Sequence, residues 1–208
     1  MNRRNILAAG LCGLALQLSP SISVAQTEPM TISVVKVISL SCPLSRESEQ
    51  LDSSIRTAVE ATGGRLAYAV MPVDPEFKGR ELLYYGLREL NPARESIYRE
   101  SLFKSTQDRG FEITDLTQLM VWFEQDLPDE RIDYRRLAVA VNSSTIKDAY
   151  VRAVRVTVTS GVQTVPSYIV VTNDGIAGAF ELSDGPNRFS DLRNSVLQLI
   201  NQIQARNQ

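Results

Sequence analysis

The chain has 208 residues, 22 basic and 24 acidic side chains and no histidine, which gives a formal net charge of −2. A mildly acidic chain without a basic patch is not expected to bind nucleic acid. The absence of histidine excludes Ser-His-Asp and Cys-His catalysis of the usual kind and makes a zinc site improbable. We therefore predict neither a metal nor a cofactor.

The first 25 residues have the pattern of a secretory signal peptide. Two arginines near the start precede an apolar stretch over 6–18, and Ser23 and Ala25 are the small residues of a cleavage site. The alternative is an N-terminal membrane anchor, but the apolar stretch is shorter than the ~20 residues needed to span a bilayer. We predict a signal peptide over 1–25, one domain over 26–208 and a periplasmic location.

Cleavage at this point would also change the thiol content. Residues 1–25 contain two arginines and no acid, so the mature chain has 20 basic and 24 acidic residues and a net charge of −4. Cys12 leaves with the signal peptide, and Cys42 remains as the single thiol. The mature chain would therefore be unable to form an internal disulfide, even in an oxidising compartment.

The first three predicted elements form a β-α-β unit. Residues 31–40 are rich in β-branched side chains and predict a central strand. Residues 43–61 have apolar side chains at helical spacing, and a Gly-Gly pair follows. Residues 65–73 predict a second strand, which should lie parallel to the first.

A long helical region follows, with helices predicted at 80–89, 93–108, 115–125, 130–141 and 143–160. The β-branched run over 154–158 also fits a strand, but it continues the apolar stripe of the last of these helices, which favours helix. A hairpin and a helix end the chain, with strands at 167–172 and 176–182, a turn at Asn173-Asp174-Gly175 and a helix at 187–205.

Cys42 lies at the junction between the first strand and the first helix. A thiol at a helix start faces unpaired backbone N–H groups and the positive end of the helix dipole, which favour the thiolate. Lys36 would act in the same direction if it lay close, and the Ser45 hydroxyl can donate a hydrogen bond to the sulfur. The alternative is that Cys42 is a small buried apolar residue, the commonest fate of a free cysteine.

A second feature, Val165-Pro166, stands just before the 167–172 strand. Proline cannot donate to a central strand ladder, so it belongs at the first position or in a turn. A cis bond is possible there, and an ordinary proline at a strand start is the alternative.

Together these features resemble the DsbA family of periplasmic thiol:disulfide oxidoreductases, in the thioredoxin superfamily. The resemblance rests on Cys42-Pro43-Leu44-Ser45 after the first strand, the helical block, and the 161–166 segment that ends in Val165-Pro166. It implies an α/β thioredoxin fold with a helical insertion over about 78–160. It also implies a cis bond before Pro166 and a loop there that lies against the redox motif and holds substrate.

The chain departs from the family at three positions. The family motif is Cys-Pro-His-Cys, whereas this chain has Leu44 and Ser45 at its third and fourth positions. Ser45 cannot resolve a mixed disulfide. The family also tends to carry a buried acid six residues before the first cysteine, where this chain has Lys36.

The resemblance implies a catalytic role for Cys42 and Ser45 and substrate contacts from Pro43, Leu44, Val165 and Pro166. We expect mixed-disulfide chemistry through one thiol, with protein or peptide thiols and disulfides as partners and a membrane-bound redox partner as a further candidate. The alternative is a redox-inactive thioredoxin-fold protein that binds peptides as a chaperone or in envelope assembly.

Overall fold

The structure is a computed structural model that describes residues 30–72 and 79–206. A mixed four-stranded sheet in the order β2-β1-β3-β4 forms its centre. Strand β1 (Ser33–Ile38) pairs in parallel with β2 (Leu66–Val70) and antiparallel with β3 (Ser167–Thr172), and β3 pairs antiparallel with β4 (Gly175–Glu181). The predicted parallel β-α-β unit and terminal hairpin are confirmed. The predicted signal peptide, with Cys12, lies outside the described residues.

Eight α-helices surround the sheet in the described part of the chain. Two lie between β1 and β2, five lie between β2 and β3, and one follows β4. Their bounds are α1 Pro43–Glu47, α2 Asp52–Glu60, α3 Gly79–Leu90, α4 Glu95–Gln107, α5 Leu116–Asp126, α6 Tyr134–Asn142, α7 Ser144–Thr159 and α8 Arg188–Arg206. The run over 154–158 is helical, as its stripe predicts.

The central strands are buried because helices cover the sheet. Val34, Val37 and Ile38 of β1 have no exposed surface. Helix α7 packs against the edge strand β2. No helix in the described ranges is both long enough and apolar enough to cross a membrane.

A buried ion pair occupies the middle of the sheet. Lys36 lies in register with Tyr68 on β2 and Tyr168 on β3, so the three side chains share one face. All three donate to the carboxylate of Asp52: Lys36 Nζ at 2.8 Å, Tyr68 Oη at 2.7 Å and Tyr168 Oη at 3.0 Å. The lysine is fully buried, and burial lowers its pKa although Asp52 opposes that shift.

This cluster accounts for a break in the first helix. The sequence predicts one helix over 43–61, but a 3-10 turn over Ser48–Leu51 separates α1 from α2. The Ser48 hydroxyl donates to the Ser45 carbonyl at 2.7 Å, and the buried Asp52 opens α2 directly after the turn. The predicted helix therefore changes to 3-10 geometry just before Asp52, the residue that is held against the sheet.

We expect Lys36→Met to lower the free energy of unfolding by roughly 3–5 kcal/mol, because it leaves the Asp52 carboxylate buried without its cation. Urea denaturation measures the change. Adding Asp52→Leu should recover part of the loss, since the uncompensated charge is then removed. A matched control is Lys104→Met, which removes a half-exposed lysine 3.7 Å from Asp126 and should cost less than about 1 kcal/mol. Equal losses in the two lysine variants would contradict the role given to Lys36.

Candidate functional site

Cys42 occupies the turn between β1 and α1. Its backbone N–H donates to the Ser39 carbonyl at 3.0 Å, and its own carbonyl accepts from the Ser45 N–H at 3.0 Å, which begins the helix. Pro43 is the first helical residue, where its missing N–H costs no hydrogen bond. The Cys42 side chain is half-buried, and Pro43 beside it is exposed.

The loop that precedes β3 lies against this thiol. We name residues 161–166 the Pro166 loop. The Cys42 Sγ lies 3.6 Å from the Val165 carbonyl oxygen, with the geometry of an S–H donor. The Val165–Pro166 peptide bond is cis, Pro166 is buried and Val165 is partly exposed. The structure thus brings together two segments that are more than 120 residues apart in sequence.

Ser45, in the first turn of α1, is fully buried. Its hydroxyl oxygen accepts a hydrogen bond from the Ser39 backbone N–H at 3.2 Å. The expected hydrogen bond from Ser45 to the sulfur is not among the contacts of the described residues. Ser45 therefore provides the hydrogen-bond acceptor for the buried Ser39 N–H. In the Cys-Pro-His-Cys motif this position carries the second cysteine.

The cations around the Cys42 turn have acidic partners. Lys36 is engaged by Asp52, so its charge is not free to act on the thiol. Arg46, in α1, binds Glu100 at 2.6 Å and Asp108 at 2.7 Å, both from the helical insert. These contacts connect α1 to the helical insert. The positive charge of Arg46 is balanced by the two insert carboxylates and not by the thiol.

Two residues of the helical insert hold the Cys42 turn directly. Gln107 Nε2 donates to the carbonyls of Leu40 at 3.1 Å and Cys42 at 3.2 Å. Arg80 Nη2 donates to the Ser41 hydroxyl at 2.7 Å. Neither Gln107 nor Arg80 was predicted from the sequence, because no local pattern points to contacts of such long range.

Arg80 also forms a buried ion pair with Glu81 next to the site. Its Nη2 lies 3.5 Å from Glu81 Oε1, and both side chains are almost fully buried. Burial raises the pKa of the Glu81 carboxyl, although the adjacent guanidinium opposes that shift. This acid lies in the first turn of α3 and was not predicted from the sequence.

Glu181, at the end of β4, holds the Pro166 loop from the other side. Its Oε1 accepts hydrogen bonds from the backbone N–H groups of Gln163 and Thr164. The Ser167 hydroxyl donates to the Thr164 carbonyl at 2.5 Å. The loop that faces Cys42 is thus held by side chains from both strands of the terminal hairpin, and the sequence analysis did not identify Glu181.

We expect Glu181→Leu to increase the rate of Cys42 alkylation by iodoacetamide several-fold. The variant removes the acceptor of two loop N–H groups, so the loop should cover the thiol less tightly. Glu181→Gln keeps a carbonyl oxygen at that place and should change the rate little. Intact-mass kinetics at one pH measure both. Identical rates in the wild type and Glu181→Leu would show that Glu181 does not position the loop.

Comparisons by sequence and by structure give different results. No protein-family profile and no curated protein sequence matches the chain. By structure, it is similar to the oxidoreductase NmDsbA1 from N. meningitidis, with a TM-score of 0.64, 13% identity and 87% of each chain covered. It is also similar to DsbA from Xylella fastidiosa, with a TM-score of 0.63, 15% identity, and 84% of this chain and 87% of that one covered.

A third similar structure contains a peptide. It is a Cys-to-Ser variant of DsbA from Proteus mirabilis with a non-covalently bound peptide, at a TM-score of 0.57 and 14% identity, with 81% of this chain and 88% of that one covered. Likeness at such low identity establishes the fold. The chain has the fold of DsbA oxidoreductases, a thioredoxin fold with an inserted helical domain, as predicted from its sequence.

Proposed function

We propose that this chain is a periplasmic, DsbA-like thiol:disulfide interchange protein that acts through the single thiol of Cys42. The observation that carries the proposal is the partly exposed Cys42, whose sulfur lies 3.6 Å from the Val165 carbonyl in a DsbA-type fold. The location rests on the signal-peptide pattern of residues 1–25.

The reaction is an exchange in two steps. The Cys42 thiolate attacks one sulfur of a substrate disulfide, a bond forms between the two sulfurs, and the second substrate sulfur leaves as a thiolate that takes up a proton. A second thiolate, from the substrate or from a small thiol, then attacks the mixed disulfide. It forms a new disulfide with the substrate sulfur and releases Cys42 as the thiolate.

This cycle transfers disulfides between partners and leaves their total number unchanged. Net oxidation of a substrate dithiol needs a disulfide in the enzyme, and Ser45 cannot supply its second sulfur. Ser45 instead has a structural part, as the acceptor of the Ser39 N–H under the turn. Lys36 has a similar part, because its ammonium group binds Asp52.

The proposed partners are protein or peptide thiols and disulfides. Pro43 and Leu44 follow Cys42 in the chain, the Val165 carbonyl lies 3.6 Å from its sulfur, and Pro166 comes next. All but Pro166 have exposed surface on which a peptide could lie. The peptide held by the Proteus mirabilis DsbA variant supports binding of this kind. A membrane-bound redox partner is a candidate source of the second thiol.

A second candidate is a redox-inactive peptide-binding protein, with a role as a chaperone or in envelope assembly. One observation favours it: Glu181 and Ser167 hold the Pro166 loop in place although the cysteine pair is incomplete. In that case the loop would retain a peptide through backbone hydrogen bonds, and Cys42 would be dispensable.

The test is to trap the mixed disulfide in intact cells. We expect a non-reducing gel of acid-quenched cells to contain adducts of this chain that collapse on reduction and are absent from Cys42→Ala. A purified chain should in addition be alkylated readily at about pH 5, where an ordinary thiol reacts slowly.

Two outcomes would count against thiol chemistry. The first is a folded chain whose Cys42 resists alkylation and forms no adduct. The second is a Cys42→Ala strain that retains full cellular function, which would favour the peptide-binding candidate. The Leu44→Ala variant is a suitable control, since it alters the same surface and leaves the thiol in place.

Ser45→Cys should restore a redox pair. With oxidised glutathione, we expect this variant to lose two hydrogens in its intact mass and then to oxidise a reduced dithiol peptide. The wild type should form only a glutathione adduct. Ser45→Ala is the matched control, since it also removes the acceptor of the Ser39 N–H but adds no sulfur. A Ser45→Cys chain that is folded but never closes an internal disulfide would refute the assignment of this position.

A further inference from the structure

The sequence as a whole predicts no basic patch, but charge is distributed unevenly over the elements of the fold. The hairpin of α6 and α7, residues 134–160, contains five basic residues and one acidic residue, a net charge of +4. Because the whole chain has a net charge of −2, all other residues together carry −6. A basic segment in an acidic chain indicates an anionic partner for that segment.

The basic side chains of this hairpin have no carboxylate partner among the residues that the structure describes. Arg46, Arg80 and Arg99 each bind a carboxylate within the fold. By contrast, none of the five basic residues of the hairpin forms an ion pair with any residue in the described ranges, and all five are exposed; they are Arg135, Arg136, Lys147, Arg152 and Arg155. Their charges are therefore available to a partner outside the fold.

Exposed valines lie among these arginines. Val139 is 74% exposed, Val158 72% and Val151 48%, and they are three of the five large apolar side chains exposed in the described residues. On α7, Val151, Arg152, Arg155 and Val158 lie on the same side of the helix. The opposite side of α7 is buried through Ile146 and Ala153.

The same chemistry occurs on α6. An open depression of about 400 Å³ lies between the end of α3 and α6, with apolar lining from Leu90, Val139 and Ala140 and with Arg135 and Arg136 at its sides. A guanidinium group binds phosphate through two parallel hydrogen bonds. Apolar surface beside guanidinium groups suits a phosphate that is attached to an apolar chain.

We propose that the exposed face of the α6–α7 hairpin docks on an anionic phospholipid surface. To dock on an anionic lipid surface, a protein needs positive charge and scattered apolar side chains, but it needs no complementary shape. A protein partner would be anchored by exposed aromatic residues, but the two tyrosines of the hairpin, Tyr134 and Tyr150, pack against the core. The docking is peripheral and reversible, because valines reach only a short way into a bilayer.

This docking does not depend on the thiol chemistry proposed above. Helix α7 ends at Thr159, two residues before the Pro166 loop begins, so the docked helix is connected directly to the candidate site along the chain. Cys42→Ala should nevertheless bind lipid as the wild type does, so failure of one proposal is distinguishable from failure of the other.

Vesicle flotation tests the proposal. The chain without the predicted signal peptide, residues 26–208, is mixed at low salt with two kinds of vesicle. One contains phosphatidylcholine with about one third phosphatidylglycerol, and the other contains phosphatidylcholine alone. We expect flotation with the anionic vesicles only and its loss as salt screens the charges. Arg152→Glu with Arg155→Glu should lower binding about tenfold or more, since each basic residue near an anionic surface contributes roughly a fivefold gain.

The control reverses two arginines of α8, Arg193→Glu with Arg206→Glu, which changes the net charge equally at another place. It should retain most of the binding. Equal loss in both double variants would mean that net charge alone drives adsorption and would overturn the proposal. Equal binding to neutral vesicles, no binding at low salt, or binding to poly-glutamate but not to vesicles would overturn it as well.

Discussion

The Asp52 carboxylate is the group on which the arrangement of this site depends. Lys36, Tyr68 and Tyr168 stand side by side on three adjacent strands and all donate to it. A buried carboxylate without donors would be costly, so the start of α2 is fixed over this row of the sheet. The 3-10 turn and α1 follow from that placement, and α1 begins at the residue after Cys42.

The helical insert has a structural part in the site as well as its own core. Arg99 from α4 stacks 3.7 Å from the Tyr68 ring centre and binds Glu49 at 2.5 Å, so the insert reaches the same polar cluster. Gln107, at the end of α4, then holds the carbonyls on both sides of Ser41. The turn that presents the thiol is therefore built jointly by the sheet and the insert.

Periodicity was sufficient for most elements but not for the contacts between them. The stripe through Ile146 and Ala153 identified the β-branched run over 154–158 as helix, because burial outweighs intrinsic strand preference there. The break after Glu47 was missed because its cause is a tertiary contact. Asp52 did carry a signal, since it lies on the apolar side of its helix, one residue after Leu51 and three before Ile55. Glu181 carried no such signal, because an exposed glutamate at a strand end is ordinary.

The Ser45 hydroxyl has a consequence for how the fold responds to its surroundings. In a dithiol site, opening or closing the disulfide changes the covalent constraint on the helix start, and so couples the free energy of unfolding to the ambient redox potential. Here the corresponding link is a hydrogen bond from the Ser39 N–H to Ser45, which oxidants and reductants leave intact. The start of α1 can therefore keep one shape in both oxidising and reducing surroundings.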